Sequence, residues 1–219
     1  MRFASRARLG VFVAMSHAVA LGAGHAAEPQ PAPPPIVQPG APGERTREIT
    51  ASAATDISGV HHTEADVRFM QGMIGHHAQA LEMTALLSSR TTRADLRALA
   101  RRIEVSQADE IAMMTTWLTR RGAPVPDMHA DHAHEAARMP GMLSAAEMQR
   151  LRDARGAAFD RLFLESMIQH HEGALTMVRE LFAAPQAGQE PEMFAFVSDV
   201  EADQGMEIGR MRALLKELP

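Results

Sequence analysis

The 219-residue sequence predicts an all-α protein, a four-helix bundle made of two repeated helical hairpins that are joined by a long crossover connection. The motif Met-Ile-x-His-His occurs twice, starting at Met73 and at Met167, and Ala-Leu-x-Met follows each copy. A second motif, Glu-x-x-Gln-x-x-Glu-Ile-x-x-Met, lies downstream of each copy and starts at Glu104 and at Glu201. Four segments have apolar residues at helical intervals, and none of them alternates as a strand does. Each half is therefore predicted to be a helical hairpin.

The first 27 residues are predicted to be a secretory signal peptide. Three arginines precede an apolar run over residues 9–24, which is too short to span a membrane. Small residues end the run, so we expect cleavage after Ala26 or Ala27. The product would be a periplasmic or secreted protein with no membrane span after cleavage. An uncleaved signal anchor is the alternative.

Residues 28–60 are predicted to be a proline-rich tether without regular structure. Seven of the thirteen prolines lie between residues 28 and 48, and proline cannot donate a backbone hydrogen bond. The residues that remain, 61–218, have the size of one ordinary domain.

Composition limits the partners of this domain. Of the 22 basic residues, 19 remain without the three leader arginines, against 27 acidic residues, which gives a net charge of −8 with neutral histidine. This balance disfavours nucleic acid and mildly favours cations. The chain has no cysteine, so no disulfide can form and the available soft ligands are methionine thioethers. This composition is also compatible with a homo-oligomer.

Start and stop signals give the order of the helices. A capping-box pattern, Thr63-x-x-Asp66, opens the first helix, and Ser144-x-x-Glu147 opens a short helix that Gly156 ends. The four long helices are predicted at residues 64–88, 94–120, 157–184 and 191–217. About 35 residues separate the second from the third, which is enough chain to run back along the bundle. The first and third helices are then antiparallel, and a pseudo-two-fold axis relates the two halves.

The polar residues of the motifs are predicted to meet at one level of the bundle, because each lies within about one turn of the middle of its helix. Adjacent histidines flanked by thioethers, made twice, are typical of metal ligands. The predicted ligands are His76, His77, His170 and His171, then Met73 and Met167, then Met83 and Met177. The alternative is that the histidines are hydrogen-bonded core residues and that the methionines fill the core.

The Glu-Gln-Glu residues of the second and fourth helices are predicted to face these histidines. At 100° per residue they share a face with apolar residues, and a buried carboxylate requires a partner. We expect them to orient the imidazoles by hydrogen bonds, with direct ligation and a solvated helix edge as alternatives. These residues are Glu104, Gln107, Glu110, Glu201, Gln204 and Glu207.

The paired motifs resemble the family called domain of unknown function 305. Both Met-Ile-x-His-His copies and the Gln-x-x-Glu-Ile that follows each carry the resemblance, between residues 61 and 217. It implies a ferritin-like fold and copper binding outside the cytoplasm. The chain lacks the Glu-x-x-His motif of di-iron bundles. Histidine and methionine in place of carboxylates favour Cu(I), with Cu(II) or Zn(II) as alternatives.

The connection between the second and third helices holds another group of soft ligands. In a polar loop these residues could capture a metal ion with little preformed geometry, or they could be ordinary solvent-exposed residues. They are Met128, His129, His132, His134, Met139 and Met142. His61 and His62, just ahead of the first helix, are a weaker candidate of the same kind.

The sequence thus predicts an exported copper-binding protein that serves sequestration, tolerance or delivery of the ion. No catalytic residue is predicted, since the chain has no nucleophile elbow, phosphate-binding glycine loop or His-Glu-x-x-His motif. Two alternatives remain: a metal-ion oxidase that uses the same centre, and a structural or oligomerising bundle without metal.

Overall fold

The structure, a computed structural model, describes residues 34–38, 45–127 and 139–218. These residues form two compact units, one that ends at Asp56 and one that begins at Ile57. The predicted signal peptide and its cleavage site lie outside the described residues. So do four ligand candidates of the connection, Met128, His129, His132 and His134.

The first unit contains regular structure where the sequence predicts a tether without any. β1 (Ile36–Gln38) and β2 (Arg47–Ile49) pair as antiparallel strands. A short helix, α1 (Ala51–Ala54), follows, and the side chain of Thr50 caps its start. The prediction is wrong here because the prolines flank β1 and none lies within either strand, so the backbone amides of both strands can pair.

The second unit is an all-α, ferritin-like bundle, which confirms the predicted fold class. Its helices are α2 (Glu64–Ala85), α3 (Leu87–Arg90), α4 (Ala94–Arg120), α5 (Ala145–Asp153), α6 (Gly156–Ala183) and α7 (Pro191–Lys216). The four long helices are α2, α4, α6 and α7, and their bounds match the predicted ones to within one residue except at the end of α2. There the helix stops three residues early and the single turn of α3 follows. Among the described residues, no helix is both long and apolar enough to cross a membrane.

Side-chain caps explain where the helices begin. In a capping box, the side chain of Thr63 accepts a hydrogen bond from the backbone N–H of Asp66 at the start of α2, and the Asp66 carboxylate accepts one from the N–H of Thr63. Ser144 and Glu147 form the same pair at the start of α5. Pro191 opens α7, where the first turn needs no N–H donor.

The central helices α2 and α6 are antiparallel, as predicted. The N–H of Gly188, just beyond α6, donates to Oδ1 of Asp66 near the start of α2 at 2.7 Å. At the other end, Met83 near the end of α2 lies in the same apolar cluster as Phe163 near the start of α6. The middles of the two helices therefore lie at the same level.

The core consists of two apolar clusters with a polar layer between them. One cluster contains Phe69 of α2 and Trp117 of α4, and the other contains Phe159 of α6 and Met211 of α7. Removal of these side chains from water is the main source of stability for the bundle. The polar layer coincides with the repeated motifs.

Candidate metal centre

Four histidines lie in the polar layer. α2 provides His76 and His77, α6 provides His170 and His171, and all four are fully buried, with 0% of their surface exposed. The rings of His76 and His170 face each other, with centroids 3.8 Å apart and planes tilted by 38°. Ring centroids of the adjacent histidines are 6.4 Å apart on α2 and 6.2 Å apart on α6. Each pair therefore points in two directions from one level of the bundle.

The second histidine of each pair contacts a glutamate of a neighbouring helix. Nε2 of His77 donates a hydrogen bond to Oε2 of Glu110 on α4, and Nε2 of His171 donates to Oε2 of Glu207 on α7 at 2.7 Å. An ionised carboxylate only accepts, so each Nε2 carries a proton, and in a neutral imidazole Nδ1 then has the lone pair. These hydrogen bonds are the ones expected from the sequence. The role of the two glutamates toward a metal stays a prediction.

His76 has a partner that the sequence did not indicate. Its Nε2 donates to the backbone carbonyl of Pro140 at 3.0 Å. Pro140 belongs to residues 139–143 at the end of the connection, hereafter the 139–143 segment. A carbonyl oxygen only accepts, so His76 also has its proton on Nε2 and its lone pair on Nδ1. The Pro-Gly turn signal marks this segment in the sequence, but no sequence signal brings it to His76.

Several imidazole nitrogens of the centre have no hydrogen-bond partner among the described residues. They are Nδ1 of His76, His77 and His171 and both nitrogens of His170. Such atoms are rare in protein interiors, because a buried polar group without a partner costs about 1–3 kcal/mol. A metal ion bound to these lone pairs would supply the missing partner, so the donor set fits a metal.

Burial also keeps the facing pair in the form that binds metal. It lowers the pKa of His76 from 6.5 to about 3, and the neighbouring His77 contributes to the same shift. The pKa of His170 lies well below 6.5, first because of burial and then because of His76. Both imidazoles are neutral at neutral pH, as ligation requires.

Buried thioethers lie on both sides of the histidine layer. Met73 and Met177 belong to one apolar cluster, and Met83 and Met167 belong to the other. Met73, Met83 and Met167 are fully buried and Met177 is 9% exposed. The predicted soft ligands are therefore buried within the two apolar clusters that border the histidine layer.

The described end of the connection brings one more thioether to the centre. A Cβ atom on Gly72 of α2 would lie 3.5 Å from Sδ of Met139 and 3.5 Å from Cε of Met177. Met142 is half-buried in the same segment. Met139 thus lies against α2 one helical turn before His76.

The Glu-Gln-Glu residues separate into buried and exposed members. Gln107 and Gln204 are 1% and 2% exposed, and neither the amide group of Gln107 nor Oε1 of Gln204 has a hydrogen-bond partner in the described chain. The prediction that Glu104 and Glu201 face the histidines is wrong. Both side chains are exposed, and Glu104 pairs with Arg101 at 3.0 Å. Three residues spaced three apart are spread over an angle of about 120° around the helix axis. This spread is too wide for all three side chains to face one neighbouring helix.

A surface cavity lined by charged residues lies beside the histidine layer. Glu207 and Asp203 line this cavity of about 400 Å³ between α4 and α7. Partial burial raises the pKa of Asp203, and the carboxylates of Glu110 and Glu207 raise it further. Arg101, Arg102 and Arg210 line the same cavity, so its wall carries charges of both signs.

The geometry differs from that of a carboxylate-rich di-iron site. Within residues 34–38, 45–127 and 139–218, no group of three or more His, Asp or Glu side chains is arranged to hold a metal ion. The polar layer instead contains the facing imidazoles of His76 and His170 and the two histidine–glutamate pairs.

Fold and site define a class of protein, a duplicated helical bundle with a buried histidine layer at its middle. The chain belongs to the family described as Domain of unknown function (DUF305), whose model matches residues 66–215. The resemblance noted in the sequence is thereby confirmed. No curated protein matches the chain significantly.

Solved structures resemble the chain over most of their length. A DUF305 fragment from Deinococcus radiodurans is 34% identical, with a TM-score of 0.63 over 72% of this chain and 99% of that one. A DUF305 protein from Streptomyces coelicolor, named as a candidate secreted protein, is 29% identical, with a TM-score of 0.61 over 70% and 93%. CopM in its Cu(I)-bound form is 29% identical, with a TM-score of 0.55 over 69% and 96%. CopM in its Cu(II)-bound form matches over the same shares with a TM-score of 0.56.

Proposed function

We propose that this protein binds copper, above all Cu(I), through His76, His77, His170 and His171, with buried methionine thioethers as further ligands. The ion is held for sequestration, tolerance or delivery. The observation that carries the proposal is the set of buried imidazole nitrogens that have no hydrogen-bond partner among the described residues.

The energetics of the layer support a bound ion. Each buried nitrogen without a partner costs about 1–3 kcal/mol in the metal-free protein, and ligation returns this energy. The hydrogen bonds of His76, His77 and His171 already put their protons on Nε2. Three lone pairs are therefore preset for metal before any ion arrives, which reduces the cost of ordering on binding.

The kinds of donor support Cu(I) over harder ions. Met73 lies three residues before His76 and Met167 three residues before His170, so each thioether lies on the same side of its helix as an imidazole of the facing pair. Neutral imidazole and thioether ligands suit Cu(I), whereas hard ions prefer carboxylate clusters. Similarity to CopM, solved with Cu(I) and with Cu(II), supports copper as the metal.

We also propose that the protein acts outside the cytoplasm. Three arginines and a short apolar run at the start of the sequence support export. The Streptomyces coelicolor relative that is named as a candidate secreted protein supports it as well.

The test is an anaerobic Cu(I) titration of the full chain in competition with a chromophoric chelator. Substitution of all four buried histidines by alanine should abolish tight binding while circular dichroism still reports a helical protein. The double variant His76→Ala/His170→Ala should retain only a weaker site at the glutamate-paired histidines.

The matched control is the double variant His61→Ala/His62→Ala, which removes two adjacent histidines from the exposed stretch ahead of α2. Its Cu(I) affinity should equal that of the wild type. Undiminished tight binding in the fourfold variant would contradict the proposal, and so would an equal loss in the control.

A further inference from the structure

The two halves of the repeat differ at the second residue after each His pair. This residue is Gln79 on α2 and Gly173 on α6. Both contact the 139–143 segment, which crosses the centre and has no counterpart in the repeat. The difference between the halves therefore lies where the segment docks.

Gln79 holds the segment through two hydrogen bonds. Its side-chain Nε2 donates to the carbonyl of Leu143 at 2.9 Å, and its Oε1 accepts from the N–H of Leu143 at 2.8 Å. Both backbone groups of one residue are thereby fixed to α2 by a single amide. The matching position on α6 carries no side chain that could do the same.

Gly173 instead provides the space that the segment occupies. A Cβ atom at this position would lie 2.1 Å from the carbonyl oxygen of Pro140 and 2.5 Å from Cα of Gly141. Gly141 has φ of +77°, and a Cβ atom there would lie 2.6 Å from the carbonyl oxygen of Gln169. Only glycine allows the two backbones to approach this closely.

The docked segment forms a hydrogen bond with only one of the two facing histidines. Pro140 accepts a hydrogen bond from Nε2 of His76 at 3.0 Å, whereas neither nitrogen of His170 has a partner in the described chain. The two residues occupy equivalent positions of the repeat, and their rings face each other at a tilt of 38°. The segment thus breaks the pseudo-symmetry of the centre at this pair.

We propose that Gln79 and Gly173 are positioning residues of the centre: by docking the 139–143 segment they fix the tautomer of His76 through Pro140 and leave His170 free. His76 then presents Nδ1 alone, while His170 can bind through either nitrogen. The part of this inference that concerns copper binding rests on the proposed function. A fixed ligand gives affinity through preorganisation, and an adaptable one accommodates ions of different preferred geometry.

The experiment measures the histidine tautomers of the metal-free full chain at neutral pH by 15N NMR, in which protonated and unprotonated ring nitrogens have distinct shifts. Wild type should show His76 with its proton on Nε2 alone. Gln79→Ala and Gly173→Ala should each give a mixture of tautomers at His76. His77 and His171 should keep their proton on Nε2 in every variant, because glutamates hold them.

Gln71→Ala is the matched control. Gln71 lies on the same helix and its side chain also donates to a backbone carbonyl, that of Pro124 at 2.8 Å. This variant should leave all four tautomers unchanged. Alanine is the better helix former at position 173, so Gly173→Ala should disturb the docked segment and not the helix. If that variant does not fold, the His76 tautomer in Gln79→Ala alone tests the proposal.

Two results would overturn the inference: a single Nε2–H tautomer of His76 that persists in the folded variants, or an equal change at His76, His77 and His171. Silver, Ag(I), then serves as the metal probe, and its affinity should fall by about tenfold to a hundredfold in Gln79→Ala but not in Gln71→Ala. An unchanged Ag(I) affinity in Gln79→Ala would overturn the link to metal binding. If the wild type binds no Ag(I), the proposed function is wrong. The NMR measurement of the His76 tautomer still tests the positioning role of Gln79 and Gly173.

Discussion

The hydrogen bonds from His77 to Glu110 and from His171 to Glu207 give the sharpest prediction about the centre. Replacing either glutamate by glutamine keeps the shape of the side chain and an acceptor oxygen. It removes the negative charge that makes the imidazole a more basic ligand. We expect Glu110→Gln and Glu207→Gln to weaken Cu(I) binding without changing which atoms bind the ion.

The magnitude follows from the type of hydrogen bond. Nε2 of His171 lies 2.7 Å from Oε2 of Glu207, and the carboxylate side chain is only 10% exposed, so solvent screens the bond weakly. A hydrogen bond to a charged group contributes about 1.5–3 kcal/mol and a neutral one about 0.5–1.5 kcal/mol. The difference, roughly 1–2 kcal/mol, corresponds to a loss of affinity of about fivefold to thirtyfold.

The assay is the Cu(I) competition titration, with electron paramagnetic resonance of the Cu(II)-loaded protein as a record of the ligands. Nitrogen hyperfine structure should be the same in wild type and variants. Glu104→Gln and Glu201→Gln are the matched controls, because these residues lie on the same helices but are exposed. Neither control should change the affinity.

Two outcomes would refute this reasoning. An altered nitrogen pattern, together with a larger loss of affinity for harder ions, would mean that the glutamates coordinate the metal directly. Saturable metal oxidation that disappears with Glu110→Gln or Glu207→Gln would mean that the centre is an oxidase and not a binding site.

Three further predictions concern stability and stoichiometry. The pKa of His76 is about 3 in the folded state and 6.5 in the unfolded chain, so the unfolded chain binds more protons below pH 6.5. At pH 5 the unfolding free energy of the metal-free protein should therefore be about 2 kcal/mol lower through this group. Equal stability at pH 7 and pH 5 in urea denaturation would contradict this. Deletion of residues 128–138 should lower the number of copper ions bound and spare the tightest site, because this stretch holds Met128, His129, His132 and His134 but none of the four buried histidines; loss of the tightest site would show that these residues complete the centre. Asp66→Ala should lower the free energy of unfolding by about 3 kcal/mol, since it breaks the capping box with Thr63 and leaves the N–H of Gly188 without its partner. A loss below about 1 kcal/mol would mean that Gly188 finds another acceptor.

The helices and the level of the centre could be predicted because their causes are local in sequence. Caps and apolar periodicity fix the bounds of a helix from neighbouring residues, as at Thr63 and Pro191. The internal repeat also indicates which residues of different helices come together, since two copies of one motif on antiparallel helices meet at matching positions. His76 and His170 do so with ring centroids 3.8 Å apart.

The contacts of the 139–143 segment could not be predicted, because they join backbone atoms to side chains 64 residues away. No periodicity encodes such a contact. Gly173 is a residue that could have indicated it, since a glycine in the middle of a helix often marks the close approach of another backbone.

The exposure of Glu104 depends on angle as well as on spacing. The Glu-Gln-Glu pattern gives the residues that lie near one face, but their spread of about 120° leaves one member outside the interface. Which member turns outward depends on where α2 lies against α4, and tertiary packing decides that. The β1–β2 hairpin also depends on pairing between segments, which the count of prolines does not describe.

A crystal structure of the copper-loaded full chain, with anomalous data at the copper edge, would show directly whether the four buried histidines bind the metal. The bound copper should give an anomalous peak within the buried layer, within bonding distance of imidazole nitrogens of His76 and His170 or of Nδ1 of His77 and His171. Peaks confined to His61 and His62 or to the connection, with the four buried imidazoles unchanged, would contradict this prediction.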